Sequence, residues 1–252
     1  MRIATWNVNS ISVRLGQLLA LLEQTKPDVV CLQETKTEDA RFPRGPLEAA
    51  GYRCAVAGQK GYNGVAILAR TEPRDVATGF ADAQKRLLAA TIGTVRLACV
   101  YAPNGEALGS QKYSYKLAWY ARLRDWLVRE LARHPSLAVL GDFNVAPEDR
   151  DVHDPELWRG RIHCSEEERA AFRALLDVGF VDAFRLFPQP AHSYSWWDYR
   201  GGAFRRDAGL RLDLILLSTG LAPRCRACTI ERKLRAAERP SDHAPVIAEL
   251  QP

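Results

Sequence analysis

Seven short apolar runs do most to limit how this chain can fold. They span residues 3–6, 29–32, 65–69, 95–100, 137–140, 212–217 and 244–250. Each is too short for a helix, and several are apolar at successive positions instead of alternating. Strands covered on both faces read this way. Between them lie helical patterns. Leu15, Leu18, Leu19 and Leu22 recur at i, i+3, i+4 and i+7, and Pro27 bars continuation. Tyr113, Leu117, Tyr120, Leu123, Leu127 and Leu131 form one long stripe. Ser165 and Glu168 make a capping box for a helix through Phe172, Leu175 and Leu176 that stops at Gly179. Buried strands alternating with amphipathic helices predict a layered α/β protein. With no linker, repeat or low-complexity tract, residues 1–252 are expected to form one domain.

The borders of these runs carry the polar residues. The first run ends in Trp6-Asn7, the second in Gln33-Glu34, the run from Val95 in Tyr101, and the run from Leu137 in Gly141-Asp142-Phe143-Asn144. Polar strand ends are ordinarily turns, but an amide, a carboxylate, a phenol and an Asp–Asn pair make an unusual set. Two further groups sit at the opposite ends of their strands. Asp213 lies near the start of one run, where an unpaired carboxylate is expensive, and Asp242-His243 precedes the last. Strand-end and strand-start groups meet at one rim only if some strands run antiparallel, so mixed or mainly antiparallel sheets are predicted. The chain has no G-x-G-x-x-G, no G-x-x-x-x-G-K-[ST] and no G-x-S-x-G, which argues against dinucleotide-binding, P-loop and serine-hydrolase enzymes.

The set has a chemical character. Asn7, Glu34, Asp142, Asn144 and Asp242 offer hard oxygen ligands suited to Mg²⁺ and not to zinc or copper. His243, with an aspartate beside it and Asp213 available, suits an oriented imidazole that handles a proton. Hard ligands, one oriented histidine and no nucleophilic Ser or Cys point to metal-assisted attack of water on a phosphodiester.

Seven blocks in sequence order strongly resemble exonuclease III and its relatives. These are the apurinic/apyrimidinic (AP) endonucleases of the endonuclease/exonuclease/phosphatase superfamily. The blocks are Trp6-Asn7-Val8-Asn9, Leu32-Gln33-Glu34-Thr35-Lys36, Gly58-Gln59-Lys60-Gly61-Tyr62, Val100-Tyr101-Ala102-Pro103-Asn104-Gly105, Gly141-Asp142-Phe143-Asn144, Gly209-Leu210-Arg211-Leu212-Asp213 and Ser241-Asp242-His243-Ala244-Pro245. The resemblance implies a four-layered α/β sandwich: two mixed, mainly antiparallel β-sheets packed face to face with helices outside. It implies a Mg²⁺-dependent enzyme, with Mn²⁺ able to substitute, that cuts duplex DNA on the 5′ side of abasic sites. A 3′→5′ exonuclease and a 3′-phosphatase or phosphodiesterase activity accompany it.

Carried onto this chain, the resemblance makes Glu34 the principal metal ligand, with Asn7 beside it and Asp242 an adjacent metal or outer carboxylate. Asp142 activates water or later protonates the leaving group, and Asn144 stabilises the pentacovalent phosphate; both count among the metal ligands, as does His243. His243 and Asp213 act as a pair at the phosphate, and the Tyr101 phenol contacts it. Whether Asp142 or His243 is the base, and whether one or two metals bind, stays open at this level. Trp196 and Leu210 fall where relatives build an apolar pocket for the base-less sugar, while Trp197 reads as core. Asn9, Lys60, Gly61, Tyr62 and Asn104 occupy loops that meet the DNA backbone in relatives. Arg200, Arg205, Arg206 and Arg211 suit phosphate contacts, though a solvated loop has the same appearance.

Composition enters as a boundary condition. A net charge of +5 permits a polyanionic partner without requiring one. The start of the chain has no signal-peptide pattern, and no apolar run approaches the ~20 residues that span a bilayer. The six cysteines include a single C-x-x-C, Cys225 and Cys228, without the second ligand pair that a zinc site needs. A reduced, cytoplasmic protein is therefore expected, and the resemblance adds a monomer acting on double-stranded DNA with abasic or blocked 3′ ends. His134, His153, His163 and His192 belong to no motif and are expected at the surface or in turns. Two alternatives remain: a same-fold phosphoesterase for a small-molecule or lipid phosphodiester, and a DNA-binding module without catalysis.

Overall fold

The computed structural model of the protein describes residues 1–251. Every apolar run becomes a strand, and further strands join them. The first sheet has the order β11 (Cys225–Ile230), β12 (Val246–Leu250), β1 (Arg2–Asn7), β2 (Val29–Gln33), β4 (Val65–Ala69), β3 (Arg53–Ala57). The second has the order β5 (Arg74–Ala77), β6 (Leu87–Ile92), β7 (Val95–Tyr101), β8 (Leu137–Asp142), β10 (Asp213–Ser218), β9 (Phe180–Asp182). The helices are α1 (Ile11–Thr25), α2 (Arg44–Ala49), α3 (Gln111–Arg133), α4 (Pro155–Trp158) and α5 (Glu166–Leu176). Both sheets are mixed and mainly antiparallel. Among the described residues, β1–β2 and β7–β8 are the parallel ladders. Those two pairs are joined by the crossover helices α1 and α3, as parallel pairing demands.

Both faces of the central strands are covered, which explains their unbroken apolar runs. Ile3, Val29 and Cys31 point into the space between the sheets, where they join Leu97, Cys99, Leu140 and Ile215. Ala4, Trp6, Val30 and Leu32 point outward onto Leu18, Leu21 and Leu22 of α1. On the far side, Ala98, Val100, Val139 and Leu214 lie beneath Trp119, Leu123 and Leu127 of α3 and Phe172 and Leu175 of α5. The result is the expected four layers. Truncating one of the inter-sheet leucines to alanine costs about 2–5 kcal/mol in such a core.

The helix boundaries follow from local chemistry. Lys26 adopts a left-handed conformation at the end of α1, and Pro27 follows it. The capping box opening α5 is formed in both directions by Ser165 and Glu168. The strands not apparent from sequence are mostly edges: β11 and β3 flank one sheet, β5 and β9 the other. Edge strands are short and half-solvated, so they lack the apolar run that marks a central strand. Cys225 and Cys228 lie in β11, where a register shift between Cys225 and Ala227 turns both thiols into the inter-sheet core. All six cysteines are free. Among the described residues, no helix is long and apolar enough to cross a membrane.

Candidate active site

The antiparallel ladders bring the polar strand borders together. β1 and β2 run side by side in one direction, so Asn7 and Glu34 leave the first sheet at the same end. β10 runs against β8 with Asp213 opposite Asp142. β12 runs against β1, and the segment before it passes over the end of β1. There Ser241 Oγ donates to the Asn7 carbonyl at 2.7 Å, and Trp6 Nε1 donates to the His243 carbonyl at 3.1 Å. Gly141 precedes Asp142 for a steric reason: a Cβ there would stand 1.8 Å from the Val100 carbonyl oxygen.

At the centre, one oxygen or nitrogen from each of Glu34, Asp142 and His243 lies within 4.8 Å of the others. Asn7 Nδ2 bridges the carboxylates, at 2.9 Å from Glu34 Oε1 and 2.9 Å from Asp142 Oδ2. Lys36 Nζ lies 2.9 Å from Glu34 Oε2. The two carboxylates thus share the neutral Asn7 amide as a donor, and Glu34 alone also meets the Lys36 ammonium. A hard divalent cation fits the same place, with Glu34 and Asp142 as its oxygen donors. Asn7 is turned otherwise than expected of a ligand, because its amide oxygen accepts from the Asn9 backbone N–H at 3.0 Å. Asn144 is likewise occupied: its Nδ2 donates to the Ala102 carbonyl at 2.9 Å, and its backbone N–H donates to Asp142 Oδ1 at 2.8 Å.

Behind this centre stands the histidine pair. His243 Nδ1 lies 2.8 Å from Asp213 Oδ2, and the same oxygen accepts from Ser195 Oγ at 2.7 Å. His243 Nε2 is 3.7 Å from Asp142 Oδ2. Burial alone would push the imidazole pKa down. The charges of Asp213, Asp142 and Asp242 overcome this and raise it to about 10. Burial pushes the Asp142 carboxyl up to about 7, against the pull of His243. Burial, reinforced by the Glu34 and Asp142 charges, holds the Tyr101 phenol well above its usual value, so it stays protonated. Near neutral pH the ring is a cationic donor, while Asp142 is the group poised to take a proton.

A broad cleft lined by Tyr62, Asn104, Trp196 and Arg200 adjoins this centre, with Asn104 Nδ2 3.4 Å from Asn144 Oδ1 and Trp196 bridged by its backbone to His243. Tyr62 is 75% exposed, a large ring held out to solvent. Lys60 and Gly61 are exposed in the same loop. Arg200, Arg205 and Arg206 are all exposed on the segment after Trp197, while Trp197 is buried, as expected.

Several expected residues sit elsewhere. Arg211 is 1% exposed and paired with Asp151 at 2.7 Å and Asp182 at 2.7 Å, so it fastens the core and has no access to a phosphate. Leu210 is fully buried and backs Trp196 through paired backbone hydrogen bonds; the exposed wall beside Trp196 is made by Trp158 and Ile162. Asp242 accepts from Trp196 Nε1 at 3.0 Å and Asn9 Nδ2 at 2.9 Å, which makes it an anchor for the aromatic wall and leaves it outside the cluster around Glu34. Asn9 also accepts from Lys36 Nζ at 2.5 Å, so both ends of its amide are engaged within the protein.

His163 is the clearest omission of the sequence reading. It is buried beside Trp196, with ring centroids 6.4 Å apart, and its Nδ1 lies 2.7 Å from the Asn144 carbonyl. That contact fixes Nδ1 as the protonated nitrogen of the neutral ring. Burial, aided by the Lys116 charge, pushes its pKa down to about 4. The one sequence sign was its place between Ile162 and Cys164, immediately before a helix cap. Ser195 was also missed, because a serine between two aromatics carries no motif.

The Endonuclease/Exonuclease/phosphatase family model matches residues 4–243. The chain belongs to that family. Exodeoxyribonuclease III of Haemophilus influenzae is 38% identical over 100% of both chains. Among solved structures, the 3′ phosphatase NExo from Neisseria bound to a product DNA hairpin superposes with a TM-score of 0.98 at 47% identity, covering 100% of this chain and 99% of that one. An AP endonuclease from Archaeoglobus fulgidus superposes with a TM-score of 0.95 at 40% identity over 100% of both chains. In this family member the strand-border residues are therefore the candidate catalytic group, and the Trp196 cleft the candidate substrate channel.

Proposed function

We propose that this chain is a Mg²⁺-dependent DNA-repair nuclease, with Mn²⁺ able to substitute, that hydrolyses the phosphodiester 5′ to abasic sites in duplex DNA and removes phosphate or nucleotides from 3′ ends. The observation that carries the reading is the convergence of Glu34, Asp142 and His243 beside a cleft lined by Tyr62, Trp196 and the exposed Arg200, with Trp196 joined to His243 by a backbone bridge. Glu34 and Asp142 would hold the cation, which supplies charge neutralisation at the phosphoryl oxygens. Asp142, with its Oδ2 held by Asn7 Nδ2 and lying 3.7 Å from His243 Nε2, is the carboxylate placed to take the proton of the attacking water. His243, kept cationic by Asp213, donates to a phosphoryl oxygen, and the Tyr101 phenol donates to another. Arg200 and Arg206 position the duplex by its backbone. The accompanying expectation is a monomer, acting as one domain over residues 1–252 in the cytoplasm. A small-molecule phosphoesterase would need none of this lining.

A second reading concerns the balance of activities. The His163 ring packs 6.4 Å from Trp196 and lines the same cleft, at the place where the resemblance puts the pocket for an extruded abasic sugar. That favours 3′-end processing over internal incision, in line with the name of the Neisseria relative.

The test uses two labelled duplexes, one with an internal tetrahydrofuran abasic analogue and one with a 3′-phosphate at a nick. Each is incubated with Mg²⁺, Mn²⁺ or EDTA. Hydrolysis of at least one duplex with Mg²⁺, abolished by EDTA and by Glu34→Gln, is expected. No hydrolysis of either duplex with Mg²⁺ or Mn²⁺ overturns the proposal. The rate ratio between duplexes decides the second reading, and His163→Ala should shift that ratio toward incision.

A further inference from the structure

Lys116 and Glu168 are both 0% exposed and pair with each other between α3 and α5, away from any position a phosphate could reach. Their hydrogen bonds are unusual in what they hold. Beyond Glu168 Oε1, the ammonium donates to the Asn144 carbonyl at 2.6 Å and the Asn104 carbonyl at 3.1 Å. All three N–H bonds of the ammonium are used. Glu168 Oε1 also accepts from the His163 backbone N–H at 3.0 Å, and its Oε2 accepts from Ser165 N at 3.1 Å and Ser165 Oγ at 2.7 Å. One ion pair therefore ties the loop after β7, the loop after β8 and the turn before α5.

Each of those loops carries a residue of the site: Asn104 and His163 line the cleft, and Asn144 touches both of them next to Asp142. The three are in mutual contact, with Asn104 Nδ2 3.4 Å from Asn144 Oδ1 and 3.5 Å from His163 Nε2. Two are held in the left-handed region without being glycine, Asn144 at φ 50 and His163 at φ 73. Such residues persist only where surrounding contacts fix them. Gly105 belongs to the same device. A Cβ there would come within 3.0 Å of Lys116 Cδ and 2.9 Å of Ile162 Cδ1, so glycine lets the lysine stem through.

Stability does not explain this arrangement. Two well-packed apolar side chains serve a core as well as a buried ion pair, and often better. What apolar side chains cannot do is hold two carbonyls and a backbone amide from three separate loops at fixed spacing.

We propose that Lys116 and Glu168 are positioning residues for phosphate hydrolysis: they set the spacing of Asn104, Asn144 and His163, and through Asn144 that of Asp142, without touching substrate. The proposal rests on the nuclease reading above. It predicts that the pair governs turnover more than affinity.

The test compares the parent with Lys116→Met and with Lys116→Met/Glu168→Gln on the 3′-phosphate duplex, with thermal midpoints and amide hydrogen exchange measured on metal-free, DNA-free protein. Lys116→Met leaves a buried carboxylate uncompensated and is expected to lose midpoint temperature. The double variant removes both charges and should recover most of it. In the double variant kcat should fall at least tenfold with KM within threefold of the parent, and exchange should rise at residues 143–145 and 163–165. Parental kcat in a double variant of recovered stability overturns the proposal. So does a loss confined to KM, or unchanged exchange in both segments. A double variant unfolded at low temperature overturns it as well, since the pair would then be holding the fold. If the parent itself hydrolyses neither duplex, the nuclease reading fails, while the exchange measurement still judges the hub.

Discussion

Replacing Asp213 by asparagine tests the electrostatic heart of the site while leaving its shape alone. Asp213 Oδ2 accepts both the His243 and Ser195 bonds, whereas Oδ1 is buried without a partner. An amide can place its oxygen where Oδ2 stands, so both bonds survive and only the charge is lost. Burial then pulls the His243 pKa down from about 10 without its strongest counterweight. Every unit of fall is worth about 1.4 kcal/mol, and a fall of about 3 units leaves the ring mostly neutral at pH 8. Losing one charged donor to a developing oxyanion typically lowers kcat by roughly 10²–10³. We therefore expect Asp213→Asn to lower kcat about 10²-fold at pH 8 and clearly less at pH 6, where the ring regains its proton. In metal-free protein, NMR titration should move the His243 ring from about 10 toward its ordinary value of 6.5. Stability should follow. A raised histidine pKa contributes fully below 6.5 and is lost as pH rises toward about 10, so the parent should weaken across that window and the variant should weaken less. A variant that keeps parental kcat, loses it equally at pH 6 and pH 8, or still titrates near 10 refutes this account.

Other outcomes follow from particular contacts. Arg211→Met leaves the Asp182 carboxylate without its ion-pair partner and Asp151 with Arg185 alone and should destabilise by roughly 3–5 kcal/mol in urea titrations, with salt-dependent DNA binding of the folded fraction unchanged. Gly141→Ala drives a methyl into the Val100 carbonyl and should lower stability by more than about 4 kcal/mol, seen as loss of soluble, cooperatively melting protein. His163, with its pKa lowered to about 4, should withdraw stability as pH falls from 6.5 toward 4, by about 3 kcal/mol in all; His163→Asn should flatten that acid limb in denaturation curves. Arg206→Ala should weaken duplex binding and reduce its salt slope by about 1 without changing lesion preference, whereas Trp196→Ala should change preference and leave the slope alone.

Much of the site was legible because its residues sit at strand ends, where apolar runs stop abruptly. Glu34, Tyr101, Asp142, Asp213 and His243 all announce themselves this way, and the ladder pairing Asp213 with Asp142 makes the antiparallel expectation concrete. Residues away from strand ends gave no such signal: His163 and Ser195 lie in irregular segments, Lys116 lies inside a helix, and Glu168 was legible only as part of a helix cap. All four take these roles from neighbours 18 to 52 positions away in sequence. Arg211 shows the converse error. Its place beside three exposed arginines suggested phosphate, while two distant carboxylates claim it for the core.

The sequence by itself determined the layers, the central strands, the long helices and the chemical type of the site. Local periodicity and hard-ligand residue types are properties of short stretches of chain, readable without knowing what packs on them. The tertiary structure alone decided which polar groups face the cleft and which are consumed inside the protein. It also decided protonation: His243 is raised and His163 lowered although both are buried imidazoles, because three carboxylates surround one and an ammonium stands near the other. Desolvation and Coulomb interaction depend on distances through space, and the order of residues along a chain does not specify those.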